Sequence, residues 1–170
     1  MQKDMNPLLG KTLQELQAIA QEVGLPRFAG KQLAEWIYIR RATSFDEMTN
    51  ISLKGREALK ANYTIGRHAP IAEAISKDGT KKYLFRLTSN SDNGLISDSE
   101  SVFIESVYIP DNDRATLCVS TQAGCKMGCK FCMTGTLGFH GHLTTAEILN
   151  QIFSIPDADK LTNIVYMGEG

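Results

Sequence analysis

The chain has 170 residues, 42% of them hydrophobic and 22% charged, which suits a globular protein of one full domain or two small ones. No apolar run approaches the ~20 residues that span a bilayer, and Met1-Gln2-Lys3-Asp4 lacks the apolar stretch of a secretion signal. The sequence therefore reads as cytoplasmic, with no membrane partner. Residues 1–70 hold 10 Lys/Arg against 7 Asp/Glu, and the remainder hold 8 against 12. That basic excess suits a solvated helix face more readily than it marks a nucleic-acid surface.

In chain order, Thr12-Leu13-Gln14-Glu15 is a capping box, in which each end satisfies the other's free backbone donor. Leu13, Leu16, Ile19, Ala20 and Val23 follow at helical spacing until Gly24-Leu25-Pro26. A second helix fits 30–41, with Leu33, Trp36 and Ile37 on one face. Ser44 caps a short turn through Glu47, and a third helix fits about 52–63. These helices make a small module over 1–66, whose core alone is marginal.

After Gly66 the period changes to that of strands. Residues 71–76 and 81–87 flank Lys77-Asp78-Gly79-Thr80, where Asp-Gly predicts a hairpin turn. Residues 88–100, rich in Ser, Asn and Asp, read as a loop. Strands are expected at 101–109, closed by Pro110-Asp111-Asn112-Asp113, and at 115–120, which carries Cys118. The segment 121–142 is too glycine-rich to predict regular structure. A second capping box, Thr144 to Glu147, opens a helix, and a strand follows at 163–167 before Gly168-Glu169-Gly170. The fold class is therefore α/β. It comprises a helical module (1–66), a β-rich connecting region (67–113) and the first βαβ portion of a sheet (114–170), which one crossover leaves unclosed.

All four cysteines fall between 118 and 132, and three form the pattern Cys125-x3-Cys129-x2-Cys132. A disulfide framework spreads its bridges along a chain, so this clustering points to metal or redox chemistry. Three thiolates on one loop can hold three irons of a [4Fe–4S] cluster and leave the fourth iron open to S-adenosylmethionine (SAM). Structural zinc, with Cys118, His140 or His142 as fourth ligand, is the alternative, although no second Cys/His pair accompanies the first. Gly168 and Gly170, directly after a strand, are candidates for the SAM amino group, and Glu169 between them reads as solvent-facing. Phe131 is placed to cover the cluster or to pack in the core, two compatible readings. Cys118 is by default a buried small hydrophobe. Glu105, set among Val102, Phe103, Ile104 and Val107, is a candidate base or simply part of an exposed strand face.

At these residues the sequence resembles the RlmN family of radical-SAM RNA methyltransferases. The resemblance runs from Gly24-Leu25-Pro26-Arg27-Phe28 and Trp36-Ile37-Tyr38 through Glu105-Ser106-Val107-Tyr108-Ile109-Pro110 and Arg114-Ala115-Thr116-Leu117-Cys118-Val119-Ser120. It continues over Gly124, Cys125, Gly128, Cys129, Phe131 and Cys132. It implies a partial (β/α) barrel with a helical RNA-recognition domain, and methylation of adenine C2 in 23S rRNA and tRNA. Catalysis would pass through a 5′-deoxyadenosyl radical and a methylated cysteine. It further implies Cys125, Cys129 and Cys132 as cluster ligands, Glu105 as base, and Cys118 as the thiol that forms a disulfide bond with a later cysteine. The related Cfr-type enzymes, which modify C8, share the cysteines, whereas the Arg114–Leu117 stretch looks like the C2 type. The family's Gly-Met-Gly-Glu-Pro motif would begin at Gly168, but Glu169 replaces its Met and the sequence ends at Gly170. On that reading the chain is a truncated piece of a monomeric enzyme, inactive alone and open to self-association through exposed sheet edges.

Overall fold

The computed structural model describes residues 5–87 and 102–169. The loop expected at 88–100 and the candidate Gly170 lie outside them. The chain divides into two compact units, Met1–Arg67 and His68–Gly170.

The first unit is helical. Strand β1 (Asn6–Pro7) leads to helix α1 (Leu13–Glu22), which begins at the anticipated capping box of Thr12 and Glu15. Leu16, Ile19 and Ala20 form its buried stripe. Helix α2 (Ala29–Ala34) does not continue to residue 41 as a single α-helix. It passes into a π-helical segment, Glu35–Ile39, that keeps Ile37 buried. A short 3-10 turn, Phe45–Glu47, is closed by a second capping box on Ser44. Helix α3 (Leu53–Asn62) starts where the Ser52 hydroxyl accepts the Gly55 N–H. Strand β2 (Tyr63–Thr64) then pairs in parallel with β1, a contact too short to leave a periodic signal.

The second unit is built on a five-stranded sheet. Its strands are β3 (Ala72–Ile75), β4 (Lys81–Arg86), β5 (Phe103–Asp111), β6 (Arg114–Cys118) and, further along the chain, β9 (Asn163–Val165). Spatial order follows that sequence. The β3–β4 hairpin turns at Asp78-Gly79, where Asp78 accepts the Thr80 N–H and hydroxyl. Strand β5 runs through Pro110 instead of stopping there, with Pro110 opposite Ala115.

Between β6 and β9 the segment expected to be irregular is partly ordered. Strands β7 (Gln122–Gly124) and β8 (Phe139–His142) pair antiparallel with a register shift at Ala123/Gly124, and α4 (Met133–Thr136) is a single turn between them. Glycine makes this hairpin attainable. Gly124 and Gly138 both adopt positive φ, a conformation other residues resist. Helix α5 (Thr145–Phe153), opened by the Thr144/Glu147 capping box, forms the crossover to β9, which runs parallel to β6.

Alternation along the strands separates two faces. Tyr83, Phe85, Ile104, Tyr108, Ala115 and Leu117 are buried in a core that Ile148 and Ile152 of α5 cover. Lys82, Phe103, Glu105 and Ile109 point to the other, open face. A buried carboxylate ties the segment after α5 to this sheet. Asp157 accepts Lys81 Nζ at 2.6 Å, the Tyr83 hydroxyl at 2.8 Å and Lys160 Nζ at 2.8 Å.

Candidate functional site

Strand β6 delivers the chain to the cysteine segment through Val119 and Ser120, and Ser120 is the hub of this turn. Its backbone N–H donates to Gln151 Oε1 (2.9 Å), and its carbonyl accepts Gln151 Nε2 (2.8 Å), so α5 grips the strand end with a fully buried side chain. Its hydroxyl donates to the Glu105 carbonyl (2.8 Å) and accepts the Glu169 N–H (3.1 Å). One serine thus links β5, β6 and the segment after β9.

Glu105 and Cys118 share the open face of the sheet. Val107 lies opposite Cys118 in the β5–β6 ladder, and Glu105 is one same-face step along β5 from it. Cys118 is half-exposed, not fully buried. The Glu105 carboxylate is exposed and paired with Lys82 Nζ at 3.0 Å.

The three remaining cysteines lie on the loop joining β7 to α4, all half-exposed. All four cysteines are free thiols, so the disulfide implied for Cys118 is not formed within this chain. The Met127 N–H donates to Cys125 Sγ (3.5 Å), and the Cys132 N–H donates to the Cys129 carbonyl (3.1 Å). The Gly135 N–H, reinforced by Thr134, holds the Cys132 thiol below the usual cysteine range against an opposing effect of burial. Among the described residues, no three Cys, His, Asp or Glu side chains are drawn together closely enough to hold a metal ion. As a donor set, three free thiols on one loop with amide N–H groups turned toward sulfur still fit an iron–sulfur cluster.

Phe131 is 94% exposed and is not packed in the core of the described residues. Met127 and Met133 beside it are similarly open. His140 approaches the Leu137 carbonyl through Nε2 at 3.1 Å, and His142 stacks edge-on against Phe139 at 5.1 Å.

Gly168 fits closely against the strand end. A Cβ there would stand 2.7 Å from Ser120 Oγ and 2.8 Å from the Val119 carbonyl. Glu169 departs from the expected solvent-facing position. It is half-buried, its carbonyl accepts the Thr121 and Gln122 N–H groups, and its carboxylate accepts the Gly124 N–H. Burial pushes its carboxyl pKa up, the Gly124 N–H opposes that, and the nearby Glu105 charge adds to it.

Sequence reasoning missed Ser120, Gln151 and Lys82. Gln151 did leave a trace, as a polar residue inside the apolar stripe of α5 between Ile148 and Ile152. A cavity of about 440 Å³ lined by Asp78, Tyr108, Asp113, Arg114 and Lys160 sits at the opposite end of β6 and contains none of these residues.

A family model described as "Ribosomal RNA large subunit methyltransferase N-terminal domain" matches residues 6–65. The chain is 54% identical over all 170 residues to a "Probable dual-specificity RNA methyltransferase RlmN" of Phocaeicola vulgatus, covering 46% of that protein. It is 56% identical over 164 residues, or 96% of the chain, to the like-named protein of Bacteroides fragilis, of which it covers 44%. The chain is therefore similar to RlmN-named proteins over its whole length, and its residues 6–65 match the model of the methyltransferase N-terminal domain. A crystal structure of a radical SAM methyltransferase from Sphaerobacter thermophilus has the same fold, with a TM-score of 0.82 at 33% identity, over 97% of this chain and 47% of that one. The chain thus spans about half the length of the curated RlmN relatives it matches. Its architecture is the mixed α/β fold of that methyltransferase. Among the described residues no helix is long and apolar enough to cross a membrane.

Proposed function

We propose that this chain is part of a cytoplasmic radical-SAM methyltransferase of the RlmN family that methylates adenine C2 in large-subunit ribosomal RNA and in tRNA. The observation that carries this reading is the convergence at Ser120. One turn joins the face bearing Glu105 and Cys118 to the loop bearing three free thiols. The names of the relatives and of the structural neighbour support the same chemistry.

Cys125, Cys129 and Cys132 would hold three irons of a [4Fe–4S] cluster, leaving one iron open to SAM. When bound, that cluster supplies the electron that cleaves SAM, chemistry no side chain can perform. Phe131, exposed on the same loop, would cover the cofactor, and the backbone at Gly168 and Gly170 would receive the SAM amino group. Glu105 would take the proton from adenine C2, and Cys118 would offer a free thiol on the same face. The helical segment 1–66 would recognise RNA, 67–113 would connect, and 114–170 would begin a partial (β/α) barrel. A C2 target requires the adenine to leave its stack to reach this face.

Anaerobic reconstitution with iron and sulfide tests the reading. The expected product is a brown protein with broad visible absorbance and about four irons per chain. A colourless protein holding one zinc overturns it in favour of a metal-stabilised RNA-binding module. Position is decided by nucleoside mass spectrometry of RNA treated with a polypeptide of the relatives' full length carrying this chain. 2-Methyladenosine is expected, and 8-methyladenosine overturns the C2 assignment.

A further inference from the structure

Lys82 stands on β4 opposite Val107 of β5, and Val107 in turn stands opposite Cys118 of β6. These three residues form one row across the open face. Glu105 lies one same-face step away along β5, opposite Leu84, and the Lys82 side chain reaches diagonally to its Oε2 at 3.0 Å. The other cation on this face of β4, Arg86, is engaged elsewhere, 5.6 Å above the Phe103 ring. The Glu105 charge is also felt at Glu169, whose carboxyl it helps to push up.

Half-exposed ion pairs of this kind contribute little to stability. A pair formed at a candidate base nevertheless fixes where that base points. We infer that Lys82 is a positioning residue. Its ammonium holds the Glu105 carboxylate beside the row of Lys82, Val107 and Cys118, the strip where the adenine would lie. This rests on the methyltransferase reading for its purpose, whereas the pairing stands on geometry alone. Lys82 would touch neither the cofactor nor the reacting carbon.

Two measurements on Lys82→Met and Lys82→Arg test it. The first uses the chain itself. Three-bond NMR couplings of Glu105 should report one side-chain rotamer in the unsubstituted chain and in Lys82→Arg, and rotamer averaging in Lys82→Met. Equal averaging in all three overturns the inference. The second uses a polypeptide of the relatives' full length carrying this chain, assayed with RNA. Lys82→Met should lower kcat for methylation about tenfold while KM for RNA stays within about twofold, and Lys82→Arg should restore most of the loss. A rise in KM at unchanged kcat would make Lys82 a contact to RNA and overturn the positioning role. Cleavage of SAM is followed in parallel. If the unsubstituted protein cleaves none, the methyltransferase reading fails, and the NMR result still decides whether Lys82 orients Glu105.

Discussion

The amide of Gly124 donates to the carboxylate of Glu169, 45 residues further along the chain. Gly124 is the last residue before the cysteine loop, and Glu169 follows β9. The bond therefore fastens the root of the loop to the far side of the βαβ crossover, while Glu169's own N–H and carbonyl engage Ser120, Thr121 and Gln122. Whatever the loop binds is carried on a base anchored from two directions.

Gly124 should tolerate no side chain. Its φ is +70°, and a Cβ would fall 1.8 Å from the Gly138 carbonyl oxygen. Gly124→Ala should destabilise the second unit by more than about 2 kcal/mol, combining left-handed strain with a clash between backbones. Urea unfolding followed by the circular dichroism of the sheet measures this. A loss below about 0.5 kcal/mol would mean that the hairpin root adjusts freely.

The second unit should lose stability in acid through Asp157. Burial is the largest single influence on this carboxyl and opposes its ionisation. Hydrogen bonds from Lys160, Lys81 and Tyr83 together outweigh burial and hold the pKa well below the usual aspartate range. A depressed folded pKa makes the contribution fully present above the unfolded value, about 3.9, and lost as pH falls below it. Unfolding free energy should thus drop between pH 5 and pH 2. Asp157→Asn should flatten that part of the curve and cost about 3 kcal/mol at pH 7, because Lys81 and Lys160 lose their shared partner.

Much of this arrangement is legible in local sequence, because capping is a short-range interaction. The boxes at Thr12 and Thr144 place two helix starts correctly, and Ser44 caps the short turn expected through Glu47. The Asp-Gly turn likewise places β3 and β4. What escapes is set by distant backbone. A hairpin threaded through glycines has no alternating pattern to read, yet β7 and β8 pair because Gly124 and Gly138 permit the bend. The candidate ligands are legible from spacing on one loop. Glu169 is not, since its partner amide belongs to a residue that only the β6–α5–β9 crossover brings near. Lys82 and Glu105 sit on separate strands, so their pairing waits on the β4–β5 register.

Gln151 should be the most sensitive polar residue of α5. It is fully buried, and its amide satisfies both backbone groups of Ser120. Gln151→Leu keeps the volume but strands a buried donor and acceptor, at about 1–3 kcal/mol for each group. The substitution should lower the thermal midpoint by several degrees and speed amide exchange at Ser120 before the rest of β6 is affected. Uniform exchange across the unit, with no excess at Ser120, would contradict this account.

Single cysteine substitutions should separate the loop thiols from the sheet thiol. Cys125→Ala, Cys129→Ala and Cys132→Ala each remove one thiol from the loop and should abolish the visible absorbance of the reconstituted chain. Cys118→Ala should retain it, because Cys118 stands on β6 opposite Val107 and Val165, outside the loop. Iron and acid-labile sulfide should follow the absorbance. A cluster held by all three thiols would also tie both ends of the loop together. Reconstitution should therefore slow amide exchange from Lys126 to Gly135 while leaving α1 and α3 unchanged. Retained iron in Cys132→Ala, or lost iron in Cys118→Ala, would assign the ligands differently. Bound iron with no protection of the loop would place the metal elsewhere on the chain.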